Sequence, residues 1–336
     1  KEEVNFNESN ELSDVFKDID LQAYKDSNKS SNIRFVDAIS QAIHLSMKED
    51  RDLIIMGQDI AEYGGVFKVT KGMSSVFGKE RVRNTPLCES VILSASMGLS
   101  ILNIPSIVEM QFSDFVSSGF TAIVNLISKS YYRWGQNASI VIRMPCGGGV
   151  GAGPFHSQTN ESWFTTVPGL KVVYPSFPKE AKGLLINSIK DPNPVLFFEH
   201  KKLYRTISED VPSEPYITPF GKAILRVEGD DMCIISYGLG IHWALEEVKK
   251  FPQAKIAVLD INTLVPLDYD SIFDLVKKTG KVLLLQEDSR LGGFMGEIAA
   301  EISEKCFEHL DAPIFRLASL NTPIPFTDNL EEGYFP

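Results

Sequence analysis

Short apolar runs alternate along most of the chain with segments whose apolar residues recur every three or four positions. The run DLIIMG at 52–57 is typical of a buried strand, whereas Val36, Ile39, Ile43 and Met47 share one helix face. Such alternation predicts parallel sheets covered by helices on both faces, an α/β fold. Further strands are predicted at 104–111, 139–144, 171–174, 195–199, 232–237, 256–261, 282–286 and 314–317, and further helices at 90–102, 120–134, 179–190, 242–251, 269–279 and 296–309.

The first 32 residues differ from the rest of the chain. Residues 1–32 contain eight Asp or Glu against four Lys, and neither Gly nor Pro, which predicts a solvated acidic tail or linker. Within it, Leu12, Val15, Phe16 and Ile19 follow the spacing of one helix face. That spacing is either chance or the sign of a short helix that docks on a neighbouring subunit or domain.

The α/β pattern is interrupted once more, at residues 206–220, which contain three prolines and little apolar periodicity. We therefore expect a linker there between two three-layer α/β domains, at 33–205 and 221–336. Ser31 or Asn32 is expected to cap the first helix of the first domain.

Composition narrows the class of protein. The 33 basic and 44 acidic residues give a net charge of −11, which disfavours a nucleic-acid partner. No apolar run reaches the ~18–20 residues that span a bilayer, so no membrane association is expected. The four cysteines form no CxxC pair, which suits a reducing compartment such as the cytoplasm or an organelle matrix. The chain begins at Lys1 without an initiator Met, as expected of a processed product or part of a longer polypeptide.

One glycine motif imitates a dinucleotide-binding fingerprint. Gly238 and Gly240 follow a predicted strand, and Asp260 ends the next strand about 20 residues later. Trp243 occupies the third glycine position, where an indole would block close packing of helix against strand. A plain junction between strand and helix is therefore favoured over nicotinamide binding.

A second glycine cluster leads into a histidine. Residues 147–153 contain five glycines, which excludes a helix or strand interior, and no Lys-Ser or Lys-Thr follows as in a P-loop. The segment is either a flexible surface loop without a role or a mobile loop that presents His156 to a substrate.

The stretch NTPLCE at 84–89 is the other unusual feature. Pro86 favours an extended approach, and Glu89 stands just before an apolar helix. Glu89 either complements the helix dipole, worth under ~1 kcal/mol, or is a partly buried carboxylate with a tuned pKa. The residues themselves leave both interpretations open.

Several long motifs in order resemble the beta subunit of thiamine-diphosphate-dependent 2-oxo acid dehydrogenases. The resemblance extends over residues 34–325, and GGVF at 64–67 together with NTPLCE and MQF is nearest the branched-chain type. It is carried by NTPLCE (84–89), EMQFSDF (109–115), FHSQ (155–158), PGLKVVYPSFPKEAKGLL (168–185), DPNPVLFFE (191–199), DINTLVPLD (260–268) and QEDSRLGGF (286–294).

The resemblance implies a transketolase-like pyrimidine-binding domain followed by a transketolase C-terminal-like domain. It implies that Glu89 faces N1 of the cofactor's aminopyrimidine and activates thiamine diphosphate. Leu87, Gln111 and Phe115 match positions that line the pyrimidine pocket, although the branched-chain type usually has Tyr where Phe115 stands. His156 matches the proton donor in reductive acylation of a lipoyl group.

Some family members hold a structural potassium ion. The resemblance places it at main-chain oxygens near Ala138 and Ile140 and at Asp191 and Asn193. Val141 replaces a residue that can be Thr, so one hydroxyl ligand is missing.

The family's magnesium and diphosphate motif begins Gly-Asp-Gly, and no such string occurs in this sequence. The resemblance therefore implies an alpha subunit, or an alpha half of a fused chain, that holds the magnesium and the diphosphate. It also implies a second copy of this chain in a heterotetramer-like assembly, the lipoyl domain of an acyltransferase, and a bacterial cytoplasm or mitochondrial matrix. The alternatives are a pyruvate or acetoin dehydrogenase beta subunit, a C-terminal transketolase-like fragment, or a non-catalytic structural subunit of the same fold.

Overall fold

The computed structural model describes residues 8–19, 24 and 29–336. The strands of this described part are β1 Ser30–Arg34, β2 Ile54–Gly57, β3 Val82–Asn84, β4 Ser106–Glu109, β5 Ile140–Cys146, β6 Lys171–Val173, β7 Val195–His200, β8 Ser208–Pro212, β9 Ile224–Val227, β10 Met232–Ser236, β11 Ile256–Asp260, β12 Thr263–Val265, β13 Val282–Ser289 and β14 Phe315–Ser319. Its α-helices are α1 Glu8–Ser13, α2 Phe35–Glu49, α3 Met73–Phe77, α4 Glu89–Ile101, α5 Phe120–Ala122, α6 Ser130–Trp134, α7 Ser162–Thr165, α8 Pro178–Lys190, α9 Leu203–Thr206, α10 Leu239–Val248, α11 Tyr269–Thr279, α12 Met295–Lys305 and α13 Asp328–Tyr334.

Two sheets organise the molecule. The larger has seven strands in the order β12-β6-β7-β5-β4-β2-β3, and the smaller has five in the order β14-β13-β10-β11-β9. The α/β class is as predicted, but the sheets are mixed, because β12 and β9 run antiparallel to their neighbours. Each is a short edge strand that arrives by a loop instead of a crossover helix, and such a strand is free to run antiparallel.

The last residues of the N-terminal segment form a strand that pairs with the first part of the predicted linker. Strand β1 lies antiparallel to β8, with Ser30 opposite Pro212 and Arg34 opposite Ser208. Ser31 and Asn32 therefore belong to a strand, and the prediction that either caps a helix is wrong. Helix α2 begins at Phe35, with Arg34 in extended conformation at its N-cap.

The predicted N-terminal helix is shorter than its apolar spacing suggests. Helix α1 ends at Ser13, so Val15, Phe16 and Ile19 lie beyond it, and the Leu12 side chain is exposed. The segment nevertheless docks on its own chain. The Asn193 side chain accepts a hydrogen bond from the Lys17 main-chain N–H at 2.7 Å and donates to the Lys17 carbonyl at 2.9 Å.

A buried ion cluster lies in the middle of the larger sheet. Arg143 on β5 donates to Glu109, the last residue of β4, and twice to Glu199 on β7 at 2.7 Å. The Tyr204 hydroxyl also donates to Glu199 at 2.7 Å. All four side chains are buried, so the cluster ties three central strands together within the core.

Within residues 8–19, 24 and 29–336, no helix combines the length and apolar character needed to cross a membrane.

Candidate active site

Glu89 is the first residue of α4 and lies near the carboxyl ends of the parallel strands, where α/β proteins commonly bind ligands. One carboxylate oxygen accepts a hydrogen bond from the Gln58 side-chain amide at 3.0 Å. The other accepts from the Ser118 hydroxyl at 2.9 Å. Gln58 directly follows β2, and Ser118 belongs to the 3₁₀ turn Ser113–Gly119 after β4. Two neutral donors from other elements thus orient the carboxylate, which helix-dipole complementation alone does not require.

Polar atoms without a protein partner lie beside Glu89. In the part of the chain that the structure describes, the Gln58 side-chain oxygen and the Thr85 hydroxyl are buried and accept or donate no hydrogen bond. Because a buried unpaired polar atom is costly, such atoms are expected to face a ligand or water. The Gln58 oxygen and the Thr85 hydroxyl are therefore available to a polar ligand or to water.

His156 lies in the same site through aromatic contacts. Its ring packs edge-on against Phe112 at 4.8 Å between centroids and against Phe115 at 5.5 Å. Phe115 and Ser118 share one 3₁₀ turn, so this turn connects the Glu89 carboxylate to the His156 ring. The structure thereby brings Glu89, Phe115 and His156 together.

The other two residues matched to the pyrimidine pocket are less enclosed. Leu87, two residues before Glu89, has 80% of its side chain exposed. Gln111 follows β4 and is half-buried. Phe155, beside His156, is 74% exposed. This face of the site is open in the isolated chain.

The glycine segment before His156 makes hydrogen bonds with carboxylates of the same chain, although Val150 within it is 46% exposed. The Gly148 N–H donates to Glu287 at 2.7 Å. The Gly149 and Gly151 N–H groups donate to Glu331 at 2.7 and 3.1 Å. Carboxylates of the chain itself thus occupy amide groups that a phosphate cradle would need free.

Sequence reasoning missed several polar residues of the site. Gln58 and Ser118 orient Glu89, and Asp114 accepts hydrogen bonds from the main chain and the side chain of Gln158 at 3.1 and 3.0 Å. The second Asp114 oxygen and the Ser157 hydroxyl are buried and lack a partner among the described residues. The available signal was position, because Gln58 and Asp114 each come shortly after a buried parallel strand.

A buried carboxyl group lies near the same loop. Glu161 accepts a hydrogen bond from the Tyr237 hydroxyl at 2.7 Å and is fully buried. Burial, and then the neighbouring Asp288 carboxylate, raises the pKa of Glu161 to about 8. Among the described residues, no cation pairs with Glu161 as Arg143 pairs with Glu109 and Glu199.

The residues matched to potassium lie at the opposite edge of the sheet, before β5 and β7. The Ala138 N–H donates to the Pro192 carbonyl at 3.1 Å, so the two loops are adjacent. Asp191 accepts from Lys171 at 2.5 Å and from the Asn193 main-chain N–H at 2.8 Å. The side-chain oxygens of Asp191 and Asn193 thus already accept hydrogen bonds. The main-chain oxygens of these loops therefore remain as the potential ligands of a potassium ion. In the described residues no group of three or more His, Cys, Asp or Glu could hold a metal ion.

The glycine motif after β10 has no free acid for a ribose. Asp260 is buried and accepts hydrogen bonds from Ser176 at 2.8 Å and from Arg226 at 2.9 Å. Burial raises its pKa to about 6 despite the arginine. The carboxylate belongs to the packing between the two sheets.

Comparison with known proteins agrees with this architecture. The family model for the transketolase pyrimidine-binding domain matches residues 31–206, and that for the transketolase C-terminal domain matches residues 221–336. A solved chain described as a split-gene transketolase, inactive beta4 tetramer, has a TM-score of 0.71 at 18% identity, over 90% of this chain and 94% of that chain. At that identity the likeness supports the fold alone.

Curated relatives are similar over most of their length. The chain is 44% identical over 310 residues to 2-oxoisovalerate dehydrogenase subunit beta of Bacillus subtilis, covering 91% of this chain and 94% of that protein. It is 40% identical over 321 residues to the mitochondrial subunit beta 2 of 2-oxoisovalerate dehydrogenase of Arabidopsis thaliana, covering 94% and 88%. It is also 40% identical over 301 residues to pyruvate dehydrogenase E1 component subunit beta of Staphylococcus aureus, covering 88% and 93%.

Proposed function

Because this chain belongs to the family of 2-oxo acid dehydrogenase beta subunits, we propose that its Glu89–His156 site acts in oxidative decarboxylation of a branched-chain 2-oxo acid and acyl transfer to a lipoyl group. The chain is the beta half of an oxidoreductase that works with an alpha partner in a multienzyme complex. The branched-chain type is favoured over the pyruvate type, at 44% against 40% identity. The observation that carries the proposal is that one 3₁₀ turn contacts both Glu89, through Ser118, and His156, through Phe115.

The family depends on thiamine diphosphate, and we place its aminopyrimidine beside Glu89. Bound thiamine diphosphate supplies a nucleophilic carbon for attack on the 2-oxo group. Glu89, held by Gln58 and Ser118, keeps a proton at ring nitrogen N1. The buried, unpaired Gln58 oxygen is available to a second polar group of the ring.

The remaining pocket residues have a packing role in this proposal. Phe115 offers an apolar ring surface, and Leu87 and Gln111 border the open side. The alpha partner holds the magnesium ion and the diphosphate, because this sequence contains no Gly-Asp-Gly. This chain thus supplies the pyrimidine end of the site only.

His156 has a later role in the proposal, as proton donor during acyl transfer to the lipoyl group. Phe112 and Phe115 fix the plane of its ring edge-on, while the exposed Phe155 beside it offers apolar surface to an incoming lipoyl domain. The histidine thus lies next to the 3₁₀ turn whose Ser118 holds the Glu89 carboxylate, and beside the exposed Phe155.

Helix α4 supports a contact with the alpha partner next to Glu89. Val91 and Ile101 on this helix, and Leu102 directly after it, are 61%, 53% and 69% exposed. A Cβ added to Gly98 would meet no atom within 4 Å. The helix that begins at Glu89 thus has an exposed apolar side, which suits contact with the alpha partner. A second copy of this chain would complete the heterotetramer-like assembly.

Three finer features belong to the same proposal. The functional units are residues 33–205 and 221–336, joined by 206–220, with residues 1–32 as an acidic arm. Potassium, where bound, takes main-chain oxygens near Ala138, Ile140, Asp191 and Asn193. The compartment is the cytoplasm in a bacterium or the matrix in a mitochondrion.

Reconstitution tests the substrate class. The chain is combined with its alpha partner, thiamine diphosphate, magnesium and a lipoyl acceptor, and 3-methyl-2-oxobutanoate is compared with pyruvate. We expect kcat/KM to be about tenfold or more higher for the branched acid, because buried methyl groups add ~1–3 kcal/mol of transition-state binding. A preference for pyruvate would assign the chain to the pyruvate type, and inactivity with every 2-oxo acid would favour a structural subunit.

His156→Ala tests the division of labour within the site. We expect lipoyl acylation to fall by roughly 10²–10⁴-fold, the range for loss of a general acid, with decarboxylation to an artificial acceptor nearly unchanged. His309→Ala, at an exposed histidine, is the control. Equal loss in both assays would instead give His156 a role in positioning the cofactor or substrate.

A further inference from the structure

The glycine segment before His156 has a backbone conformation that few other residues can adopt. Gly147, Gly149, Gly151 and Gly153 have φ values of +84°, +75°, +66° and +69°, a region that favours glycine. A Cβ at Gly147 would lie 2.0 Å from His200. The segment therefore needs glycine for its backbone conformation, and at Gly147 it also has no room for a side chain.

Glu331 accepts two hydrogen bonds from the main chain of this glycine segment. It lies on α13 near the end of the chain and is 4% exposed. Its two carboxylate oxygens accept separate N–H groups, from Gly149 at 2.7 Å and Gly151 at 3.1 Å. Glu287 accepts the Gly148 N–H, and Lys201 donates to the Gly147 carbonyl at 2.5 Å. The loop is thus held at four of its residues, 147, 148, 149 and 151.

The fixed loop continues directly into His156. The His156 N–H donates to the Gly153 carbonyl at 3.3 Å. A Cβ at Gly153 would lie 2.5 Å from Phe326, which precedes α13. A displacement of α13 would therefore move Gly151, and His156 follows Gly151 by only five residues.

We propose that Glu331 is a positioning residue for His156, so that the last helix of the chain sets the geometry of acyl transfer to the lipoyl group. This inference rests on the proposed role of His156. Glu331 acts through the loop: a carboxylate can accept two N–H groups at once, and its position decides where the chain delivers the imidazole. Misplacement by about 1 Å reduces a rate by up to about a hundredfold.

Glu331→Gln tests the proposal in the assembled enzyme, because a carboxamide has one acceptor oxygen and leaves one glycine N–H unpaired. We expect lipoyl acylation to fall by about ten- to a hundredfold, with artificial-acceptor decarboxylation within about threefold of the unmodified enzyme. Hydrogen exchange at amides 147–153 should rise by about tenfold or more. Glu332→Gln, on the exposed neighbour, is the matched control and should change neither. Glu331→Asp, which keeps the charge on a shorter stem, should give intermediate values in both measurements.

The double variant Glu331→Gln with His156→Ala separates this inference from the proposed function. If Glu331 acts through His156, the double variant acylates lipoyl about as slowly as His156→Ala alone. If His156→Ala is silent, the proposed role of His156 fails, and the positioning role fails with it, even where loop exchange rises. If His156→Ala is impaired but Glu331→Gln matches the unmodified enzyme, only the inference about Glu331 is overturned. Equal loss of both activities in Glu331→Gln would also overturn it.

Discussion

Glu89 and Glu109 belong to two regions that use a carboxylate in opposite ways. Glu109 ends β4, the neighbour of β2, and Glu89 accepts a hydrogen bond from Gln58, which directly follows β2. Glu109 is buried and ion-paired with Arg143, which also binds Glu199. Glu89 is partly exposed and, among the described residues, accepts hydrogen bonds from the neutral donors Gln58 and Ser118; the Gln58 oxygen beside it has no partner there. A buried carboxylate that is paired with a cation stabilises the fold. A carboxylate that is held by neutral donors and is partly exposed can still bind a ligand.

Glu89→Gln gives the largest expected effect and tests the open side of this comparison. The variant keeps size and some hydrogen bonding but removes the acid that protonates the pyrimidine. Hydrogen–deuterium exchange at C2 of thiamine diphosphate in the reconstituted enzyme should fall by roughly 10²–10⁴-fold. Stability should change by less than ~1 kcal/mol, as expected for a residue at a helix start.

The control for Glu89→Gln is Glu80→Gln, at an exposed carboxylate paired with Arg83. It should leave C2 exchange and melting temperature unchanged. Near-normal exchange in well-folded Glu89→Gln would reduce Glu89 to a helix-dipole partner and remove the mechanistic basis of the site.

Arg143→Met tests the buried side. Removing the guanidinium leaves Glu109 and Glu199 buried without a cation, which costs about 3–5 kcal/mol of unfolding free energy. Chemical denaturation of the purified chain measures it. Arg83→Met, which breaks an exposed pair, should cost at most ~1 kcal/mol. A loss below ~1 kcal/mol in Arg143→Met would mean that the cluster is not a structural one.

Glu161 sharpens the comparison, because it is buried like Glu109 but pairs with no cation in the part of the chain that the structure describes. Its pKa is raised to about 8 in the folded chain, while its ordinary value is 4.5. The native state therefore holds a proton that the unfolded state releases, and stability falls as pH rises from about 4.5 to about 8. Glu161→Gln removes this group.

We expect the unmodified chain to lose at least ~1 kcal/mol of unfolding free energy between pH 5 and pH 8 relative to Glu161→Gln. Denaturation curves at a series of pH values measure the difference. Parallel stability profiles for the two proteins would show that Glu161 is already ionised at neutral pH in the fold.

The internal spacing of apolar residues predicted most elements to within a few residues, helix α11 at Tyr269–Thr279 being one case. It failed where an element is short or owes its existence to a distant partner. Strands β1, β8 and β12 have no apolar run of their own and form because a partner strand offers hydrogen bonds. Helix α1 stops early because the chain after Ser13 follows contacts such as that between Lys17 and Asn193 instead of helix periodicity.

The candidate site divides in the same way. Glu89 and His156 could be chosen from motifs, because each follows an unusual Pro or Gly stretch, and the structure brings them together. Gln58 and Ser118, which orient Glu89, could not be chosen, since hydrogen bonds of 31 and 29 residues' separation leave no local pattern. The catalytic roles of Glu89 and His156 remain predictions.

The sequence by itself determined the α/β class, the order of most elements and the family, because these depend on local periodicity and on contiguous motifs. Only the tertiary structure decided that the glycine segment is fixed, that Asp260 is structural, and that Glu331 meets Gly149 across 182 residues. Local pattern encodes which side chains leave water but not which groups they meet there. Partners are chosen when the chain closes on itself, where a buried donor must find an acceptor wherever in the sequence that acceptor lies.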